Sequence, residues 1–207
     1  MDTARRPSVR RGRPEDARAV ARLHREIISW GLLPSLGEGV VTAFYRAVSA
    51  SPVAFCFVAD DGERLWGFAA GTADWPRLRR EVMRTTWRPL LRAVPVLLRG
   101  GRWRRLRETD RYTQSSHLAV SAEFLSFGVL PEMSGRVWVG AALAYAVVNE
   151  FRRRGVRRVR GVVWEQNERA LKFFEAVGFR FVSEVEIHPG ERSRTFVADL
   201  TPTAQGE

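Results

Sequence analysis

From Pro14 to Ser29 (PEDARAVARLHREIIS) apolar side chains recur at Ala17, Val20, Ala21, Leu23, Ile27 and Ile28, close to the spacing that gathers them on one face of a helix. The opening Pro-Glu-Asp suits a helix start: proline lacks an N–H that the first turn would leave unpaired, and carboxylates favour the positive end of the helix dipole. A turn-rich stretch, GLLPSLGEG, separates this helix from a second one over Val40 to Ser49, which Ser51-Pro52 ends. The pattern then changes. Val53 to Ala59 and Leu65 to Thr72 are short apolar runs on either side of Asp60-Asp61-Gly62, which predicts an antiparallel hairpin.

Residues 75 to 112 differ from their surroundings. Arginines crowd around Trp87 and Trp103, and an apolar patch (Leu90, Leu91, Val94, Val96, Leu97, Leu98) is broken by Arg92 and Pro95. The segment reads as a helical insertion. Its simplest form is a helix pair packed on the domain with a solvated basic face; a membrane-surface contact, a cap over a site and a homodimer contact are the alternatives. Glu123 to Leu130 (EFLSFGVL) is a strand with Gly128 inside it, the mark of a bulge or of a close backbone approach. Val137 to Arg154 is a long helix with Trp138, Ala142, Leu143, Ala146, Val147 and Phe151 at its apolar positions, and Gly155 stops it after three arginines. Val159 to Trp164 follows as a buried strand and Asn167 to Val177 as a short helix stopped by Gly178. Phe179 to Ile187 and Thr195 to Leu200 are closing strands, and 201 to 207 is a tail. Strands and helices alternate as in an α/β domain, a single one over 1 to 207.

Composition narrows the class. At 207 residues and 45% hydrophobic content the chain can bury one substantial core. No apolar run approaches the roughly 20 residues of a membrane span, and Met1 to Asp16 does not have the form of a signal peptide. Cys56 is the only cysteine, which excludes intramolecular disulfides and cysteine-rich metal sites. A metal-free cytoplasmic enzyme is therefore expected. The net charge of +11 comes almost wholly from arginine, Lys172 being the one lysine. These arginines are scattered and form no nucleic-acid motif, so a nucleic-acid partner is not expected; a positive field also draws anionic ligands with several phosphates.

Three segments stand in an order that carries chemistry. GRPEDARAVARLH forms the first helix, FLSFGVLPEMSGR joins the strand to the long helix, and NERALKFFEAVGF sets Asn167, Ala170, Phe173, Phe174, Gly178 and Phe179 in register. Together they resemble the GNAT superfamily of N-acetyltransferases, whose pattern N-x-x-A-x-x-F-Y-x-x-x-G-F is met here at all but one position. The resemblance implies a GNAT fold: a mixed central β-sheet of about six to seven strands flanked by helices, with the helical insertion before the central strand. It implies acetyl-CoA as co-substrate and, as acceptor, an amine of a small molecule or peptide. Phe127, Gly128 and Val129 would then offer backbone groups to the pantetheine arm, with the Val129 N–H as oxyanion donor. Ser134, Gly135, Arg136, Val137, Trp138, Val139 and Gly140 would cradle the pyrophosphate, since the first N–H groups of a helix have no partner inside it. Asn167 would bind the coenzyme arm while also capping its helix, and Phe173 and Phe174 would wall the channel.

Acetyl transfer to an amine needs a base, because an amine of lysine's basicity, pKa about 10.4, arrives protonated. By the resemblance Glu123 is the candidate general base. His117 is a second choice, and His24 and His188 give no reason for preference. Two departures matter. Phe174 stands where the family has a tyrosine that protonates the leaving thiolate, with Tyr145 and Tyr112 as replacements to consider, and the phosphate loop keeps a single family glycine, with the next at Gly140. Both leave open a catalytically weak or silent acyl-CoA-binding or regulatory module. Cys56, on an early strand, is a poor nucleophile, and direct attack in a ternary complex needs none.

Overall fold

The computed structural model describes residues 6–28, 31–98, 120–133, 137–188 and 191–200. In chain order the elements are β1 (Ser8–Arg11), α1 (Ala17–Ile27), α2 (Leu32–Ser35), α3 (Glu38–Ala50), β2 (Ala54–Asp60), β3 (Leu65–Thr72), α4 (Trp75–Leu98), β4 (Glu123–Val129), α5 (Val137–Arg153), β5 (Arg158–Trp164), α6 (Glu168–Ala176), β6 (Arg180–His188) and β7 (Glu191–Asp199). Seven strands make one sheet in the order β1-β2-β3-β4-β5-β7-β6. Every pairing is antiparallel except that of β4 with β5, which is parallel. This is the mixed sheet that the resemblance implied.

Strand alternation feeds two cores. On β2, Cys56 and Val58 point into a cluster with Val20, Leu23, Val41, Tyr45 and Leu78 of α1, α3 and α4. Phe55 and Ala59 point the other way, into a cluster with Val139, Leu143 and Phe151 of α5 and Phe174 of α6. The hairpin turn forms as its sequence dictates: Gly62 has φ +95°, and Asp60 and Asp61 accept backbone N–H bonds from Gly62, Glu63 and Arg64.

Two elements lie outside the sequence reading. β1 has Val9 as its lone apolar residue and is held on β2 by Arg10, whose guanidinium pairs with Asp16 at 2.8 Å and Asp60 at 2.7 Å. α2 sits within GLLPSLGEG, between Gly31 (φ +89°) and Gly37 (φ +90°), where glycine's freedom at positive φ bends the chain sharply on both sides of one helical turn. The last strand also begins at Glu191, earlier than expected. Of the 75–112 insertion, α4 is one continuous helix to Leu98; Met83, Trp87 and Leu91 are exposed along it, and 99–112 and the 201–207 tail lie outside the described residues.

The C-terminal end of α5 is fastened through Glu150. Its carboxylate takes Arg153 at 2.7 Å, Arg154 at 2.8 Å and Arg11 of β1 at 3.1 Å, and Arg154 also donates to the Pro52 carbonyl at 2.6 Å. Burial alone would raise the Glu150 pKa, but the bonds from Arg153 and Arg154 outweigh it and hold the carboxyl at about 2. A folded pKa below the unfolded value of about 4.3 stabilises the fold above that value, and the stabilisation is lost as pH falls toward the folded one. Urea midpoints should therefore drop between about pH 4.3 and 2 for the wild type, and the contribution of this carboxylate to that drop should vanish in Glu150→Gln.

Candidate active site

β4 and β5 pair at only two registers, Glu123↔Arg160 and Phe124↔Gly161, and then part. Each is held from its other side: β5 pairs with β7 along its whole length, and β4 with β3 up to Val129. The parting follows from an extra residue. Ala70 faces Ser126 and Gly71 faces Phe124, so Leu125 opposes nothing on β3. Such a bulge bends its strand away from the neighbour. The bulge is thus at Leu125, and Gly128, where the sequence suggested it, sits in regular register with Phe68. Gly128 is needed for space: a Cβ there would stand 3.1 Å from Ile27 of α1 and 3.2 Å from Phe68.

The register also sorts the backbone donors. The Leu130 N–H bonds the Trp66 carbonyl at 2.9 Å, so by alternation the Gly128 N–H faces β3 while those of Phe127 and Val129 face the open edge. The Phe127 and Val129 N–H groups thus stand on the open edge, whereas the backbone of Gly128 belongs to the ladder with β3.

A cavity of about 250 Å³ runs through the opening. It is walled by His24, Ile28 and Leu33 from the α1–α2 side, by Phe124 to Phe127 of β4, by Val162 and Val163 of β5, and by Asn167, Ala170, Phe173 and Phe174 around α6. Helices from both layers thus contribute to one cavity, which a closed sheet would forbid. Among the described residues lining it none carries a formal charge at neutral pH. Asn167 caps α6, its side-chain oxygen accepting the Ala170 N–H at 3.1 Å. Phe127 stacks on Phe173 with ring centroids 4.1 Å apart and planes 17° apart, joining β4 to α6 across the gap.

The first turn of α5 lies beside this stack, since a Cβ on Gly140 would stand 3.5 Å from the Phe127 ring. Trp138 lies under the Arg6 guanidinium, 4.8 Å from its ring centre, and Val139 is fully buried in the α5–α6 core. Val137 begins the helix; Ser134, Gly135 and Arg136 lie outside the described residues. Phe174 is 6% exposed, packed among Phe124, Phe179 and Phe196, and a methyl group at Gly161 would collide with its ring.

Glu123, the candidate base, is placed at an ion pair. It is not among the residues lining the cavity, and its Oε2 accepts both Arg160 Nη2 at 2.7 Å and Nε at 3.0 Å, at the closed end of the strand pair. Burial pushes its carboxyl above the usual range, with Arg160 pulling the other way without cancelling it. Tyr145 is exposed on α5. Cys56 is buried and its thiol pushed up to about 12 by burial, which removes it as a nucleophile. His117, Tyr112 and the His188 side chain lie outside the described residues.

Several lining residues had no role in the sequence reading, among them Ser126 and His24. His24 is 5% exposed, and its Nδ1 lies 2.6 Å from the Tyr45 hydroxyl, which lies 2.8 Å from Ser126 Oγ. Burial lowers the His24 pKa to about 4, so the ring is neutral. The only local signal was a histidine inside the apolar face Val20, Ala21, Leu23, Ile27, which by itself reads as packing.

Among the described residues no group of three or more metal-ligating side chains is present, and no helix is long and apolar enough to cross a membrane. No family profile and no curated protein sequence matches the chain. Solved structures do. The ribosomal-protein-S18-alanine N-acetyltransferase from Escherichia coli superposes with a TM-score of 0.59 at 12% identity, over 97% of this chain and 98% of that one. A chimeric spermidine N-acetyltransferase from Vibrio cholerae gives 0.58 at 14%, over 94% and 96%. A GNAT-family acetyltransferase from Bacillus cereus gives 0.56 at 12%, over 94% and 98%. The chain has the GNAT acetyltransferase fold, with its sheet opened between the fourth and fifth strands.

Replacing Glu123 tests its placement. Glu123→Ala takes the carboxylate from a guanidinium that is 5% exposed and should lower unfolding free energy by on the order of 3 kcal/mol, read from urea titration. Glu123→Gln keeps an acceptor and should lose less.

Proposed function

We propose that this chain is a GNAT-type N-acetyltransferase that moves an acetyl group from acetyl-CoA to an amine by direct attack in a ternary complex. The observation that carries this reading is the open edge of β4. Beyond Phe124 it presents the Phe127 and Val129 N–H groups, without a strand partner, along a cavity that joins the two layers of the fold. An extended amide-bearing arm is the ligand such an edge suits, because it can supply the missing partners as a strand would.

The residues present fit the coenzyme. Phe127 and Val129 would hold the pantetheine amides and Asn167 the arm beyond them, while the first turn of α5, from Val137 to Gly140 with Ser134, Gly135 and Arg136 before it, would take the pyrophosphate. Val139, at a position where the family has glycine, turns its side chain into the core, so it does not stand between the backbone and a phosphate. Acetyl-CoA supplies an activated acyl group on a thiol leaving group. The Val129 N–H would stabilise the charge that develops on the carbonyl oxygen as nitrogen attacks. Loss of the tyrosine hydroxyl at Phe174 is tolerable because a thiol of pKa about 8.5 leaves readily.

A small molecule or a peptide would provide the amine; the structural neighbours include an acetyltransferase of a ribosomal protein's alanine and one of spermidine. The reading involves no metal and no nucleic acid, and it carries the cytoplasmic location expected from composition. The silent acyl-CoA-binding module has one observation in its favour: Phe174 is packed among Phe124, Phe179 and Phe196 and offers no hydroxyl to a departing thiolate.

Calorimetry with acetyl-CoA and a thiol-release assay with a panel of amines separate the two: an enzyme binds and releases thiol only when amine is added, a module binds without release. Val129→Pro probes the proposed donor directly. The substitution removes an N–H that faces the open edge, so the β3 pairing and the melting temperature should persist while kcat falls about 10²–10³-fold.

A further inference from the structure

Beside the cavity, three polar side chains from distant parts of the chain meet in a place that packing alone would fill with carbon. His24 comes from α1, Tyr45 from α3 and Ser126 from β4, and they are joined by hydrogen bonds of 2.6 and 2.8 Å. Around them lie Phe44 and Phe68, whose rings are 5.2 and 5.6 Å from that of Tyr45. Tyr45 is wholly buried, whereas His24 and Ser126, the two ends of the string, both line the cavity. The bulge makes this possible. Phe124 points to the α5–α6 core and Leu125 to the α1–α3 core, so in a regular strand Ser126 would return to the α5–α6 side; the extra residue leaves it on the side of Tyr45.

We propose that Ser126, Tyr45 and His24 form a proton relay that deprotonates the attacking amine, with Ser126 as the group that touches the amine and His24 as the terminal base. The inference rests on the N-acetyltransferase reading. The amine leaves its first proton in solvent as it enters the uncharged cavity. As its lone pair then forms the C–N bond, the nitrogen becomes acidic and gives its second proton to Ser126 Oγ. Ser126 passes its own proton to the Tyr45 oxygen, and Tyr45 passes its proton to His24 Nδ1. The C–S bond breaks with its electron pair leaving on sulfur. The proton on His24 returns along the string to the thiolate, so the products are the amide and the free thiol, and the three side chains regain their starting state.

Burial leaves both groups in the starting state the relay needs, His24 neutral with a free lone pair and the Tyr45 hydroxyl protonated. The same burial disfavours the charged imidazolium, so the proton is held there only briefly and its return along the string is favoured. The relay also supplies what Glu123, bonded to Arg160 away from the cavity, does not.

Two measurements test it. The first needs no acceptor: in protein labelled with nitrogen-15 at histidine, with the His24 signals identified by their loss in His24→Gln, Nδ1 must be the unprotonated nitrogen and Nε2 must carry the hydrogen. A hydrogen on Nδ1 overturns the relay, because that atom could not then receive one. The second is kinetic, with acetyl-CoA and, as probe acceptors, glycinamide, spermidine and an alanine-leading peptide. Tyr45→Phe and Ser126→Ala should each lower kcat about 10²-fold while calorimetric affinity for acetyl-CoA stays within threefold, and Ser126→Thr should restore most of the rate. Variants as fast as an active wild type, or variants that lose coenzyme affinity in step with rate, overturn the relay alone. A wild type that neither binds acetyl-CoA nor releases thiol overturns the acyltransferase reading, and the relay with it.

Discussion

Everything at the site follows from a hydrogen-bonded ladder that is allowed to stop. β4 and β5 exchange bonds over two registers and then cease to pair with each other, although both strands run on. Buried backbone donors and acceptors left unpaired are costly, so an edge of this kind persists only where the rest of the sheet holds it open. Here β7 fixes β5 from one side and β3 fixes β4 from the other. The stability of the outer ladders offsets the gap at the centre, and that gap is where an extended ligand can complete the bonding that the protein omits.

The extra residue at Leu125 sets three features together. It bends β4 away from β5, it brings the Phe127 and Val129 N–H groups onto the open edge, and it keeps Ser126 on the Tyr45 side of the sheet. Removing it would shift the strand's phase by one, and a one-residue slip exchanges every side chain and every N–H between its two sides. Backbone donors on the open edge and a polar string on the α1–α3 side are therefore two outcomes of one irregularity. Within the α5–α6 core, Phe124 packs on Phe174 below the gap and Phe127 stacks on Phe173 across it.

Much of this was legible where the signal is local. Asp60-Asp61-Gly62 fixed the hairpin because each residue makes the turn bonds itself, and α5 showed itself through apolar periodicity and a glycine stop with φ +70°. β1 was not legible, since an edge strand with one apolar residue is held by ion pairs from Arg10 to Asp16 and Asp60, and such partners leave no periodic trace. The bulge was assigned to Gly128 because glycine is the visible mark of an irregular strand. Its true position depends on how β4 registers against Ala70 and Gly71, some fifty residues earlier. Glu123 looked available for the same reason, as its partner Arg160 stands 37 residues away. His24 was the hardest, because its meaning lies in two hydroxyls on other elements.

The first turn of α5 departs from the glycine-rich pattern of the resemblance, while the sheet and helices around it keep the fold. Glycine is required where a side chain would block a ligand or where φ is positive; among the described residues of α5's first turn neither condition holds at Val139, whose side chain fills the core beside Leu143. The anion-binding property of a helix start belongs to its N–H groups and its dipole, which valine supplies as well as glycine does. What the substitution removes is the option of bringing a phosphate in on the side-chain face. A ligand held as proposed would be gripped from the helix end and from the edge of β4, leaving the sequence free to vary on the faces that look inward. That freedom accounts for a fold shared with acetyltransferases at 12 to 14% identity while the one-dimensional motif that usually announces it is half erased.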